Sequence, residues 1–329
     1  MIRDIFWDSL KFLLIFLVVY GHMIETYSFE GSFNLAMYNF IYVFHMPLFI
    51  FISGRFSHVK DRVKYRKSLV RLLETYFVFQ MIRCMKPLVY DPSLSFNLNL
   101  FLPKGTMWYL ACLLIYRMFI YMMPSQILEK YSLLIIMLGF SFGIVWGFIP
   151  ISASQRTVAF FPFFMMGYYS VNIDWKRVCS IISPSFAIVT VLLFFSLVFF
   201  FFNYKIDCFV YMDRSYYQPA INISPLDLFV ARCTLYLFAT IISVLIMRLV
   251  LSRDLFPQLG SKTLFIYMYH TFIVLALRSL ITKGYVMQDN ILLFLYSIAI
   301  VVFLVYMSRF AFFTILLNPF SFIINKWKR

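Results

Sequence analysis

The sequence predicts an all-α, polytopic membrane protein of about ten transmembrane helices with both termini cytoplasmic, and three observations carry that reading. Of 329 residues, 63% are hydrophobic and only 13% charged, outside the usual range of soluble domains. Apolar runs repeatedly reach the roughly 18 to 20 residues that cross a bilayer as helix. Most of the 29 basic residues fall on connections that share a side with the N-terminus, and the positive-inside rule makes that side cytoplasmic. Topology and anionic headgroups account for the net charge of +15, so membrane lipid, and not nucleic acid, is the expected anionic partner.

Taken in order, the runs between charge clusters place spans over 9–27, 36–54, 68–86, 106–124, 131–150, 157–173, 184–203, 225–248, 262–281 and 290–308. The first run is too long for the apolar region of a signal peptide and has no A-x-A-like exit, so it is expected to remain as the first helix. The final apolar run, FAFFTILLNPFSFII, is short and carries Pro319. It reads as an interfacial or broken helix, which leaves Lys326 to Arg329 inside. With no repeat, low-complexity tract or Gly/Ser/Pro-rich linker, residues 1–329 form one membrane domain. Cys84, Cys112, Cys179, Cys208 and Cys233 are scattered without ligand spacing, and no metal is expected. Cys84 and Cys208 fall near outward-facing regions, where a disulfide is conceivable, but apolar filler is the better account of all five.

Titratable groups inside apolar runs are the first candidates for chemistry, because burying an imidazole in lipid is costly. On the first helix Lys11 and His22 are eleven residues apart, which brings them almost onto one face about 16 Å apart along the axis. Glu25, three residues further, lies beside His22 and can orient its ring or hold its charge. The plainer alternative is a snorkelling Lys11 and a His22 bonded to a backbone carbonyl. On the second helix His45 precedes Pro47, whose ring frees a carbonyl one turn back, and the run ends at Ser53 and Gly54. Trp108 and Tyr109 open the fourth span, where an aromatic belt places such residues anyway. Arg156 stands at an outer helix end, facing sugar or lipid phosphate or serving as an anchor. His270 lies in YMYHTF, where a satisfied core histidine is the simpler reading, and Asp227 with Arg232 reads as a structural ion pair.

Together these stretches resemble the acyltransferase 3 family of bacterial membrane acyltransferases, particularly its short, fucose O-acetylase-like members. The resemblance rests on Asp8 with SLKFLLIFLVVYGH, FHMPLFIFISG, the basic segment ending KSLVRLLETYFVF, MWYL at 107–110, RTVAFFPFFMMGYY and LFIYMYHTF around His270, in that order along most of the chain. It implies an enzyme of the bacterial inner membrane that moves an acyl group, usually acetyl, from cytoplasmic acyl-CoA to a sugar hydroxyl. The acceptor would be a surface polysaccharide, oligosaccharide or glycolipid, and the oligomeric state is open. By motif, His22 matches the family's catalytic histidine, and Lys11 stands where many relatives have Arg. Arg66, Lys67 and Arg71 are the nearest matches to the family's basic segment. That segment departs from the commoner pattern at Glu74 and Thr75.

Acetyl transfer to a hydroxyl needs a base near neutral pH, which histidine supplies, and His22 is the expected base. Candidate donors to the developing oxyanion are the indole of Trp108, the hydroxyls of Tyr109 and Ser53, and His45. The cations from Arg55 to Arg71 suit the phosphates of acetyl-CoA, with Lys11, Arg66, Lys67 and Arg71 as donor-binding residues; pure topology is the alternative for that cluster. A transporter or flippase for a glycan or lipid-linked sugar also explains many helices and buried Lys11, Glu25 and His22. No inverted repeat or matching pair of broken helices supports it. A non-catalytic partner in polysaccharide assembly is the third reading.

Overall fold

The computed structural model describes residues 4–29, 32–58, 61–90, 100, 102–145, 154–202, 225–251, 253 and 255–322, and among these every regular element is helical. The helices are α1 Ile5–Ile24, α2 Phe33–Arg55, α3 Arg62–Tyr90, α4 Trp108–Met122, α5 Ser125–Lys130, α6 Ser132–Val145, α7 Ser154–Tyr169, α8 Trp175–Ser180, α9 Pro184–Phe201, α10 Pro225–Leu251, α11 Thr263–Thr282, α12 Asn290–Met307 and α13 Ala311–Leu317. Each expected span falls on a helix, and the last apolar run is broken: the short α13 ends at Leu317, and helix resumes over 319–322. Among the described residues, seven helices are long and apolar enough to cross a membrane. α3 falls outside that set because Arg62, Lys64, Arg66, Lys67 and Arg71 crowd its first half and Glu74, Arg83 and Lys86 follow, and α6 and α7 because they have 14 and 16 residues. Cys208 and the side chain of Asp227 lie outside the described residues.

Local chemistry starts the helices where the sequence turns apolar. Asp4 accepts from the amide of Phe6 at 3.0 Å, Ser32 from Leu35 at 3.0 Å and Ser183 from Phe186 at 3.2 Å, each satisfying an orphan N–H of a first turn. Asp61 does the same for α3, and the amides of Lys64 and Val63 hold its carboxyl below the usual carboxylate range.

α2 is the centre of the bundle. Its apolar window is 83% buried inside the protein against 11% for α9, whose Phe186, Leu192, Leu193, Phe200 and Phe201 point outward as a lipid-facing helix requires. α2 crosses α7 at two glycines. A Cβ on Gly54 would stand 2.0 Å from the Phe164 carbonyl oxygen, and one on Gly167 would stand 1.9 Å from that of Phe51. Only hydrogen fits at either place, and the backbones meet because both positions lack a side chain. Pro162 leaves α7 without one amide donor, and nearby carbonyls are held from outside: Tyr116 donates to Thr157 O at 2.6 Å and Tyr236 to Ala159 O at 2.7 Å.

Candidate functional site

α1, α2 and α11 bring three histidines together. His22 Nδ1 lies 3.4 Å from Glu25 Oε2 and 3.4 Å from the Tyr42 hydroxyl. Glu25 is held by Arg278 of α11 at 3.1 Å, and the same guanidinium donates to the His22 carbonyl. The His270 ring stacks on His22 with centroids 5.5 Å apart and planes 26° apart. His45 contacts Tyr42 edge-on at 4.8 Å, which places Tyr42 between His22 and His45. Gly21 permits the approach, since a Cβ there would meet the Tyr42 ring at 3.0 Å. Among the described residues Nε2 of His22 carries no hydrogen bond. An Nδ1–H turned toward Glu25 leaves the Nε2 lone pair for a substrate proton, as a base requires.

The flanking histidines have fixed tautomers. His45 Nδ1 lies 2.7 Å from the Ile41 carbonyl, and His270 Nδ1 lies 2.8 Å from Tyr267 O and 3.1 Å from Ile266 O. A carbonyl only accepts, so both Nδ1 atoms carry the proton and both Nε2 atoms are acceptors. His270 Nε2 is sealed from solvent and has no hydrogen-bond partner among the described residues.

Of the expected oxyanion donors, Ser53, Tyr109 and His45 spend their protons inside the protein. Ser53 donates to Phe49 O at 2.8 Å, which makes Tyr109 the donor in its 2.7 Å contact with Ser53 Oγ. Trp108 stacks on Phe160 at 5.2 Å, meets Tyr109 edge-on at 6.4 Å and lies under Arg156, 5.0 Å above its ring. The segment before α4 is pinned by α3: Gln80 donates to Leu102 O at 2.6 Å, and Arg83 donates to Thr106 Oγ1 at 2.8 Å and to Thr271 Oγ1. Thr106 O in turn accepts from the Tyr267 hydroxyl.

Of the donor-binding candidates, Arg66, Lys67 and Arg71 are exposed along α3, and Arg71 lines a cavity of about 360 Å³ with Ser68, Thr75, Arg117, Tyr109 and Tyr267. Arg117 donates to Ser68 at 3.1 Å and lies over the Tyr65 ring at 4.9 Å. Tyr267 lines the cavity and also packs against His270 at 5.7 Å, so the cavity ends one ring short of the histidines. Lys11 is paired with Asp8 at 2.6 Å and sits over Phe56 at 4.7 Å. Among the described residues no group of three or more His, Cys, Asp or Glu is arranged to hold a metal.

Sequence reasoning did not single out Tyr42, Arg83, Arg117 or Arg278. The available signal was a guanidinium inside an apolar run, since Arg83, Arg117 and Arg278 all lie within expected spans.

The model of a family described as "Acyltransferase domain" matches residues 4–310. Nodulation protein NolL of Mesorhizobium japonicum is 29% identical over 194 residues, covering 53% of this chain and 50% of that protein. Nodulation protein NolL of Sinorhizobium fredii is 44% identical over 55 residues, covering 16% of this chain and 15% of that protein. The matched stretches thus span half or less of these relatives' own length. No solved structure matches.

Proposed function

This chain belongs to the acyltransferase 3 family, and from that premise we propose that it is a membrane O-acyltransferase that moves acetyl from cytoplasmic acetyl-CoA to a sugar hydroxyl. The acceptor is a surface polysaccharide, oligosaccharide or glycolipid. The protein sits in the bacterial inner membrane with about ten crossings and both termini cytoplasmic, the arrangement its Lys and Arg distribution favours.

One observation carries the reading: His22 Nδ1 faces a carboxylate that Arg278 anchors, while Nε2 has no partner among the described residues. That is the arrangement of an oriented general base. In the reaction His22 Nε2 takes the proton of the attacking hydroxyl, and Glu25 stabilises the imidazolium that forms. Nε2 of His45 accepts a hydrogen bond from a neighbouring sugar hydroxyl and orients the acceptor, while His270, whose Nε2 is sealed from solvent, steadies the His22 ring by stacking on it. Acetyl-CoA enters from the cytoplasm along the cavity between α3 and α4, its phosphates near Arg66, Lys67, Arg71 and Arg117. Its pantetheine arm points past Tyr109 and Tyr267 toward the histidines. Lys11, already paired with Asp8, adds its charge at the cytoplasmic mouth.

The test is mass spectrometry of the host's surface glycans with and without the gene. Loss of O-acetyl groups from one sugar position on deletion, restored by the intact gene, is the expected result. Unchanged acetylation alongside altered glycan export would favour transport instead.

A further inference from the structure

Resting on the acetyl-transfer reading, we propose that Arg83 is a catalytic residue: its guanidinium binds the thioester oxygen and stabilises the oxyanion formed when the acceptor attacks. A tetrahedral intermediate needs N–H or O–H groups aimed at its oxygen. The protons of Tyr109 and Ser53 are spent on Ser53 Oγ and Phe49 O, and the Nδ1 protons of His45 and His270 on backbone carbonyls. Histidines in that tautomer accept at Nε2 and cannot serve.

Arg83 has protons to spare. It lies well inside α3 and binds Thr271, the residue next to His270, so it stands at the depth of the stacked histidines. Among the described residues its side-chain hydrogen bonds leave from Nη2, to Thr106 and Thr271, while Nε is sealed from solvent and has no partner there. Nη1 packs against Gly105, where φ is +57° and a Cβ would stand 2.9 Å away, so the guanidinium can hold this position because the residue there is glycine. No carboxylate pairs with Arg83 among the described residues; its other neighbour is the Phe272 ring at 5.3 Å. A cation held at membrane depth by neutral hydroxyls is poised for an anion that appears during turnover. Thr106 and Thr271 are its positioning residues.

The acceptor oxygen bonds to the thioester carbon as its proton passes to His22 Nε2, and the carbonyl electrons move onto the oxygen facing Arg83. Collapse re-forms the carbonyl, breaks the C–S bond and returns the proton from His22 to sulfur, releasing the acetyl ester and CoA thiol.

The experiment measures acetyl transfer from acetyl-CoA by the full-length protein and its variants. Arg83→Ala should lower kcat about 10²- to 10³-fold with KM for acetyl-CoA nearly unchanged, and guanidinium ion added to the assay should restore part of the rate. The double variant Thr106→Val/Thr271→Val should lose far less. Equal loss in Arg83→Ala and the double variant without guanidinium rescue would make Arg83 a clamp for residues 102–106 and overturn the proposal. Should Arg83→Ala fail to accumulate, Arg83→Lys decides: a lowered kcat at unchanged KM supports the proposal, and unchanged kcat overturns it. An inactive wild-type protein would overturn the acetyl-transfer reading itself, a result distinct from any ranking of the variants.

Discussion

The histidine cluster and the basic start of α3 are built by opposite rules. Around His22 nearly every polar atom has an assigned neighbour: Glu25 is held by Arg278, His45 and His270 by carbonyls of their own helices, Ser53 by Phe49 and Tyr109. Away from water an unpaired polar group costs several kcal/mol, so each group must be satisfied before substrate arrives, and the few that are not stand out. Along α3, Arg66 and Lys67 are exposed and need no partner. Their charges act through a field that water and salt screen. The first region works by geometry and the second by charge, so substitutions should affect them differently.

The largest effect should come from removing the geometry altogether. Gly54→Leu drives a side chain into the backbone of α7 and separates the helix that carries His45 and Tyr42 from its neighbour. Little folded protein should accumulate in the membrane, as thermal unfolding monitored by size-exclusion chromatography would show. Normal yield and melting would mean that α2 and α7 do not cross this closely.

Next comes the orientation of the base. Glu25→Gln keeps the shape but removes the charge that faces His22 Nδ1 and binds Arg278. It should lower kcat roughly tenfold to a hundredfold with KM for acetyl-CoA nearly unchanged. Arg278→Met should fall in the same range, and the double variant should lose little more than either single one, because both act through one contact. Fully additive losses would contradict the Glu25–Arg278 unit.

The basic region should respond in affinity, and more weakly. Arg71→Ala and Arg117→Ala, which remove cations from the cavity wall, should each raise KM for acetyl-CoA about tenfold and spare kcat. Arg66→Ala and Lys67→Ala should change it about threefold or less, with the difference vanishing in high salt. A large, salt-independent loss at Lys67 would show that the exposed face also works by specific contact.

The helices were legible in the sequence because apolar runs between charge clusters record lipid directly, and each expected span holds a helix. His22 and Glu25 were legible as a pair because three residues on one helix is a local relation. Arg278 was not, since it approaches across 253 positions of sequence, and the stacking of His270 on His22 is likewise a product of packing. Glu74 and Thr75 read as departures from the family's basic segment, and their partners explain why that reading stopped there. Glu74 accepts from the amides of Phe320 and Ser321, and Thr75 donates to Leu317 O at 3.0 Å. The two residues tie the end of α13 to α3, a contact that no local pattern announces. The roles expected for Ser53, Tyr109 and His45 as donors depended on where each proton points, and that is set by carbonyls and hydroxyls whose positions only the fold supplies.

The central claim is that His22 is the base of an acetyl transfer. Its most direct test supplies radiolabelled acetyl-CoA to inverted membrane vesicles of the host containing wild-type protein or His22→Ala at matched levels, and counts label in alkali-labile esters of the glycan fraction. Wild-type vesicles should incorporate label, and His22→Ala should incorporate about 10²- to 10⁴-fold less while binding acetyl-CoA with similar affinity. Incorporation by His22→Ala within about twofold of wild type would contradict the claim.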